Sequence, residues 1–202
     1  MLALKLCQQD CPEKLNFQLA QRIGDGADGE VFELLNEPDK VIKFCVLYQY
    51  NSLPIKKVYK TIDATLSYLK FNKPNAYAHV HEHHYLGEYS RALSGGQSQP
   101  YILYCYVMQK LQKISEDEKK VFHSILCHED RGVNKNYSLN KIKKMLLGMS
   151  YGLDFSIDKT MMFVENIRSH AVLHHDIHVR NIMKDSKGNF KLIDFDRCSV
   201  KS

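Results

Sequence analysis

No run of about 18 apolar residues occurs in the 202-residue chain, so the sequence predicts no membrane-spanning helix. The opening segment, Met1–Asp10, has too short an apolar stretch for a secretory signal, and Lys5 interrupts it. The expectation is a cytoplasmic protein. No C-x-x-C pair is present; Cys7, Cys11, Cys45, Cys105, Cys127 and Cys198 are scattered. Reduced, mostly buried thiols are expected rather than a disulfide framework. No basic stripe accompanies the net charge of +5; basic residues come in short groups such as Lys141, Lys143 and Lys144. A nucleic-acid partner is therefore not expected, and a phosphate-bearing small ligand suits the charge equally well. Internal repeats and low-complexity tracts are also missing.

What is present is an ordinary globular composition, 44% hydrophobic and 25% charged, long enough to bury a core without staples. The first half alternates in the manner of strands around a glycine cluster, in "FQLAQRIGDG", "GEVFELL" and "DKVIKFCVLY". Ile55, Val58, Ile62, Leu66 and Leu69 recur at helical spacing over 55–70. Two further strands follow, "AYAHVHEHHYLGEYSRAL" and "YILYCYVMQKL", with a loop at Gly95, Gly96 and Pro100 between them. Beyond Leu111 the pattern turns helical. Ser115 and Glu118 form a capping box, and 139–150 and 157–169 read as helices, with Ile142, Met145, Leu146 and Met149 on one face. A hairpin turned at Lys187-Gly188-Asn189 closes the chain. A β-rich half and a helical half, joined near Met108–Gln112, predict an α+β fold of two lobes, about 1–108 and about 109–202.

Five short motifs carry chemistry. "IGDGADGEV" at 23–31 sets Gly24, Gly26 and Gly29 as G-x-G-x-x-G, between Ile23 and Val31. Glycines let backbone amides approach phosphate oxygens. A dinucleotide-binding turn would lead into a helix; here the glycines lead into a strand. The next strand carries Lys43 between Ile42 and Phe44. "YVMQKL" at 106–111 contains Met108, Gln109 and Leu111, and "HHDIHVRNIM" from His174 sets Asp176 five residues before Asn181. "LIDFDR" then supplies Asp194.

In order and spacing these motifs resemble the catalytic core of the protein-kinase superfamily, from about residue 20 to the end of the chain. Eight residues follow Asp194, with no activation segment and no A-P-E, so the likeness is to minimal or atypical kinases of the bacterial-effector or viral kind. The resemblance implies ATP and Mg²⁺ as cofactors. Ile23, Gly24, Gly26, Gly29 and Val31 would cover the nucleotide and Lys43 would pair its phosphates. Met108 would be the gatekeeper, and the Gln109 and Leu111 backbones would hold adenine. Asn181 and Asp194 would ligate Mg²⁺, and Asp176 would orient the attacking hydroxyl. His174 would belong to the loop's scaffold. The implied activity is transfer of the ATP γ-phosphate to a hydroxyl, with serine or threonine of a protein favoured. A protein substrate is the implied partner, and a second protein is a candidate for completing the acceptor surface. For an effector, the site of action would be a host cytoplasm.

Departures keep alternatives open. No glutamate lies between Glu37 and Glu82 to pair with Lys43; Asp63 is the candidate substitute, or a solvated helix residue. Asp196 stands where D-F-G has glycine, and His178 follows Asp176 by two, as in aminoglycoside- and choline-kinase-like phosphotransferases. A small-molecule phosphotransferase and an ATP-binding pseudokinase are the rival readings. In a strand, His79, His81 and His83 would share a face with spacing suited to Zn²⁺ or Ni²⁺, against the plainer reading of a polar strand end. Activity is expected not to depend on phosphorylation of Ser199 or Ser202.

Overall fold

The computed structural model describes residues 3–10, 16–25, 29–49, 53–127, 132–133 and 137–201. They form an α+β chain whose strands pair almost entirely antiparallel. The chain divides into two units. One comprises Met1–Lys70 and His79–Lys110, the other Phe71–Ala78 and Leu111–Ser202.

The first unit runs α1 (Ala3–Asp10), β1 (Leu19–Asp25), β2 (Gly29–Leu34), β3 (Glu37–Tyr48), α2 (Ile55–Asn72), β4 (Val80–Ala92) and β5 (Ser98–Gln109). Its sheet has the order β1-β2-β3-β5-β4. In β5 every residue from Tyr101 to Met108 is buried, which requires cover on both faces. Alternation sorts the cover. Tyr101, Leu103, Cys105 and Val107 join Ile42, Phe44, Val46 and Tyr48 of β3 in one core with Ala3 and Cys7 of α1. Tyr104, on the opposite face, packs edge-on against Tyr59 of α2 at 5.5 Å. Buried Ile55, Tyr59, Ile62, Leu66 and Leu69 form the inward stripe of α2. Tyr59 takes the place expected for Val58. Met1–Asp10, read from sequence only as not a signal, contains α1, with Ala3 and Cys7 one turn apart on its buried side.

The second unit contains β6 (Gln112–Lys113), α3 (Glu116–Ile125), β7 (Leu126–Cys127), β8 (Gly132–Val133), α4 (Leu139–Met149), α5 (Ile157–Ser169), β9 (Val172–His174), β10 (Ile182–Lys184), β11 (Phe190–Leu192) and β12 (Cys198–Val200). Ser115, Ser138 and Ser156 cap α3, α4 and α5, each accepting a hydrogen bond from a first-turn amide. The capping box is complete: Ser115 N–H donates to the Glu118 carboxylate at 2.7 Å and Glu118 N–H to the Ser115 hydroxyl at 3.2 Å. Phe122, Phe163 and Phe190 stack edge-to-face at 4.8–6.0 Å, joining α3, α5 and β11.

The division is not a single cut in the chain. Residues 71–78 belong to the second unit because their backbone is spent there. Ala78 N–H donates to Leu192 O at 2.9 Å, Leu192 N–H to Ala76 O at 2.7 Å, and the buried Tyr77 hydroxyl to Val172 O at 2.9 Å. No helix among the described residues is long and apolar enough to cross a membrane. Cys7, Cys45, Cys105 and Cys198 are buried thiols; Cys11 and the Cys127 side chain lie outside the described residues.

Candidate functional site

In the first unit the candidate residues are placed by strand register. β1 and β2 form the glycine hairpin, pairing Gly24 with Val31 and Asp25 with Glu30. The tip with Gly26 lies outside the described residues. Ile23 sits at an irregularity between Arg22 and Gly24 and is 43% exposed. The glycines differ in kind. A Cβ on Gly24 would meet Val31 at an ordinary 3.6 Å, whereas one on Gly29 would lie 2.5 Å from Phe44 O and 3.1 Å from Lys43 Cε. Gly29 thus lets β2 run close over β3 at Lys43.

Lys43 lies opposite Val31 on one side and Tyr106 on the other. Alternation puts it on the face that α2 covers. It is 8% exposed, with Nζ 5.9 Å from the Tyr106 ring centre. An ammonium held this deep needs compensating charge or π density nearby. Met108 is buried opposite Val41. Gln109 N–H donates to His79 O at 2.9 Å and Lys110 N–H to Asp39 O at 2.7 Å. Leu111, expected beside Gln109, opens the second stretch of the second unit.

Asp63 is engaged by His83, whose Nε2 lies 3.1 Å from its carboxylate and 3.4 Å from the Ser67 hydroxyl. The expected one-face histidine trio does not form. A bulge between Val80 and Glu82 breaks the alternation. His83 then faces α2, while the His79 and His81 rings meet edge-on at 4.4 Å. Among the described residues no three His, Cys, Asp or Glu side chains converge as a metal site.

Glu30 was not singled out from sequence. It is 3% exposed and accepts from Leu4 N–H at 3.1 Å and Arg22 at 3.3 Å. Burial pushes its carboxyl up, but the hydrogen bond from Leu4 N–H and neighbouring positive charge outweigh that and hold it below the usual range. Glu30 thereby ties the first turn of α1 to the glycine hairpin. A charged residue inside an apolar strand was the available signal.

In the second unit the candidates are placed by hydrogen bonds across short segments. His174, buried at the end of β9, accepts at Nδ1 from Asp176 N–H at 3.2 Å. Its Nε2–H therefore donates to Ile193 O at 2.8 Å. Burial pushes the imidazole pKa down, against the pull of that carbonyl, so the ring is neutral. Asn181, 5% exposed at the end of a 3₁₀ turn (Val179–Asn181), donates from Nδ2 to Asp176 O at 3.0 Å. Ile193 N–H donates to Asn181 O at 3.0 Å. The next residue, Asp194, is left-handed with φ 67° and ψ 72°. Such a backbone costs a non-glycine residue about 1–2 kcal/mol and persists only where the surroundings enforce it.

Asp176 is half-buried. Arg197 Nη1 and His178 Nε2 each lie 3.8 Å from its Oδ2. Residues beyond Asp194 return against the loop: β12 pairs with β9, setting Cys198 opposite His174, and the Ser199 hydroxyl lies 2.8 Å from His175 Nε2. Asp185 closes the β10–β11 hairpin, accepting from Lys187 N–H at 3.0 Å and from Asn189 N–H at 2.8 Å. Burial raises its pKa; the Asn189 hydrogen bonds outweigh this and leave it lowered.

Chemically, the loop offers a carboxylate flanked by a guanidinium and an imidazole, an amide anchored through its Nδ2, and a carboxylate on an enforced turn. Compared with models of known protein families the chain matches none, and no curated protein matches it.

Proposed function

We propose that the chain is an ATP-dependent phosphotransferase of protein-kinase-like fold that moves the γ-phosphate of ATP to a hydroxyl, with a protein serine or threonine as the favoured acceptor. The observation that carries the reading is the network of His174, Asp176, Asn181 and Asp194. One neutral histidine and one amide hold the loop to the segment before Asp194, as transfer by positioning requires.

Asp176 orients the acceptor hydroxyl and takes its proton as the oxygen attacks phosphorus. Arg197 and His178 limit where its carboxylate can point. Lys43 supplies positive charge to the phosphates, and Gly29 keeps the hairpin backbone low enough to cover them. Asn181 Oδ1 and the Asp194 carboxylate are hard oxygen donors of the type Mg²⁺ takes, and Asn181 Nδ2 is already tied down, which fixes which atom it offers. When bound, the ion neutralises phosphate charge as the leaving oxygen departs.

The deciding experiment is radiolabelled ATP with the wild type and Asp176→Ala, offered generic proteins, cell lysate and small alcohols. Label on protein, lost in Asp176→Ala, supports the reading. Label on a small alcohol moves the protein to the small-molecule phosphotransferases. A melting-temperature rise with Mg·ATP that weakens in Lys43→Ala and Asp194→Ala, without transfer, makes it a pseudokinase. No rise at millimolar Mg·ATP removes nucleotide binding altogether.

A further inference from the structure

The second unit holds a cavity of about 160 Å³ that includes none of the candidate residues above. α5 contributes Lys159, Met162, Phe163 and Asn166 to its wall; the β10–β11 turn and β11 contribute Asn189, Phe190 and Lys191, and Asn75 completes it. Its chemistry is one-sided. Two ammonium groups and three carboxamides line it, together with Phe163, Phe190 and Met162, and among the described residues no carboxylate does.

Both ammonium groups are pinned by backbone carbonyls. Lys191 Nζ donates to Asn75 O at 2.7 Å, and Lys159 Nζ donates to Lys187 O. Each keeps further protons for a ligand. Gly188, with φ 76°, is part of this arrangement, since a Cβ there would sit 2.7 Å from Lys159 Nζ. Lys191 forms an ion pair with Asp185 at 3.8 Å, and that carboxylate also accepts three hydrogen bonds from Lys187 N–H and from Asn189. Lys187 adds a further positive charge beside the pair. Lys191 is only 13% exposed, and burial pushes its pKa below the ordinary value. A largely buried cation that shares its counter-ion with three other donors gains from a second anion.

We infer that this cavity binds a small organic anion, its carboxylate or phosphate taken by Lys159 and Lys191 and its apolar body lying on Phe163, Phe190 and Met162. The volume is below that of drug-sized sites and suits a body of about one ring.

The test uses the full chain, isotope-labelled for NMR, with benzoate and phenyl phosphate as probes. Benzamide serves as the neutral isostere and inorganic phosphate as the anion without a body. Expected are saturable shifts at the Met162 methyl and the Asn166 and Asn189 side-chain amides. Benzamide and inorganic phosphate should bind at least about tenfold more weakly, a difference of about 1.4 kcal/mol. Lys159→Gln should weaken the organic anions about three- to tenfold while the spectrum elsewhere keeps its dispersion; Lys191→Gln is the second variant. Equal binding of benzamide would show an apolar cleft without charge recognition, and equal binding of inorganic phosphate an anion site without a body. Either result, or anion binding unchanged in both variants, or no saturable shift at tens of millimolar, overturns the assignment. Because none of these residues belongs to the proposed transfer site, the outcome stands apart from phosphotransferase activity.

Discussion

The two units set their candidate residues by different means. In the first, Val31, Lys43 and Tyr106 lie in line because β2, β3 and β5 pair in continuous register, so many backbone bonds share the task. In the second, Asp176 and Asp194 lie outside regular elements and Asn181 ends a three-residue 3₁₀ turn, and single side-chain hydrogen bonds from His174 and Asn181 align them. A ladder tolerates the loss of any one side chain, because the backbone keeps its place. A loop held by two side chains does not. Single substitutions should therefore be more disruptive in the second unit than in the first.

The largest expected effect is at Asp176. Asp176→Asn keeps the side chain's size and removes its basicity, so transfer should fall about 10²- to 10⁴-fold with the Mg·ATP-induced rise in melting temperature retained. Transfer at the wild-type rate would show that the loop has been misread.

Next comes His174. His174→Ala removes the bonds to Ile193 O and Asp176 N–H in a buried place, and should cost about 2–4 kcal/mol by urea denaturation. A loss under about 1 kcal/mol would break the comparison between the units. The same histidine predicts a pH dependence. Its folded pKa lies below the unfolded value of about 6.5, so the unfolded chain binds more protons as the medium is acidified. Its contribution is full above that value and is lost as pH falls toward the folded pKa. His170, lowered by burial and by Lys201, acts in the same direction. The melting temperature should decline from about pH 7 to about pH 5, less steeply in His174→Gln. Asp185, whose folded pKa is lowered, adds a separate loss at pH below about 4.

A smaller effect belongs to the glycine hairpin. Gly29→Ala puts a Cβ against Phe44 O and should cost about 1–3 kcal/mol and reduce the Mg·ATP-induced stabilisation. Gly24→Ala has room at 3.6 Å and should be close to neutral. Equal effects of the two would mean that the close approach of β2 to β3 is immaterial.

The smallest concerns the residues after Asp194. The Ser199 hydroxyl touches only the exposed His175 among the contacts above, so Ser199→Ala should leave transfer within about twofold of wild type. Activity lost in Ser199→Ala and restored by Ser199→Asp would make this strand a switch.

Much of the framework was written in local pattern. Strand-like runs marked β1 to β5, helical spacing marked α2 and α4, 157–169 read as helical, and the Ser115–Glu118 box marked where α3 begins. The order of glycine hairpin, strand lysine and histidine loop was readable because each motif is short and its chemistry needs few residues. Sequence by itself therefore determined the types of the longer elements from β1 to α5, though not α1, and the order of the short motifs. Only tertiary structure decided that Phe71–Ala78 belong with the second unit, that a bulge at His81 separates the histidines, that Asp63 is paired with His83, and that Asp194 is left-handed. These depend on hydrogen bonds between residues far apart in the chain, such as Ala78 to Leu192 and Ile193 to Asn181. No local periodicity records where a backbone amide will find its partner.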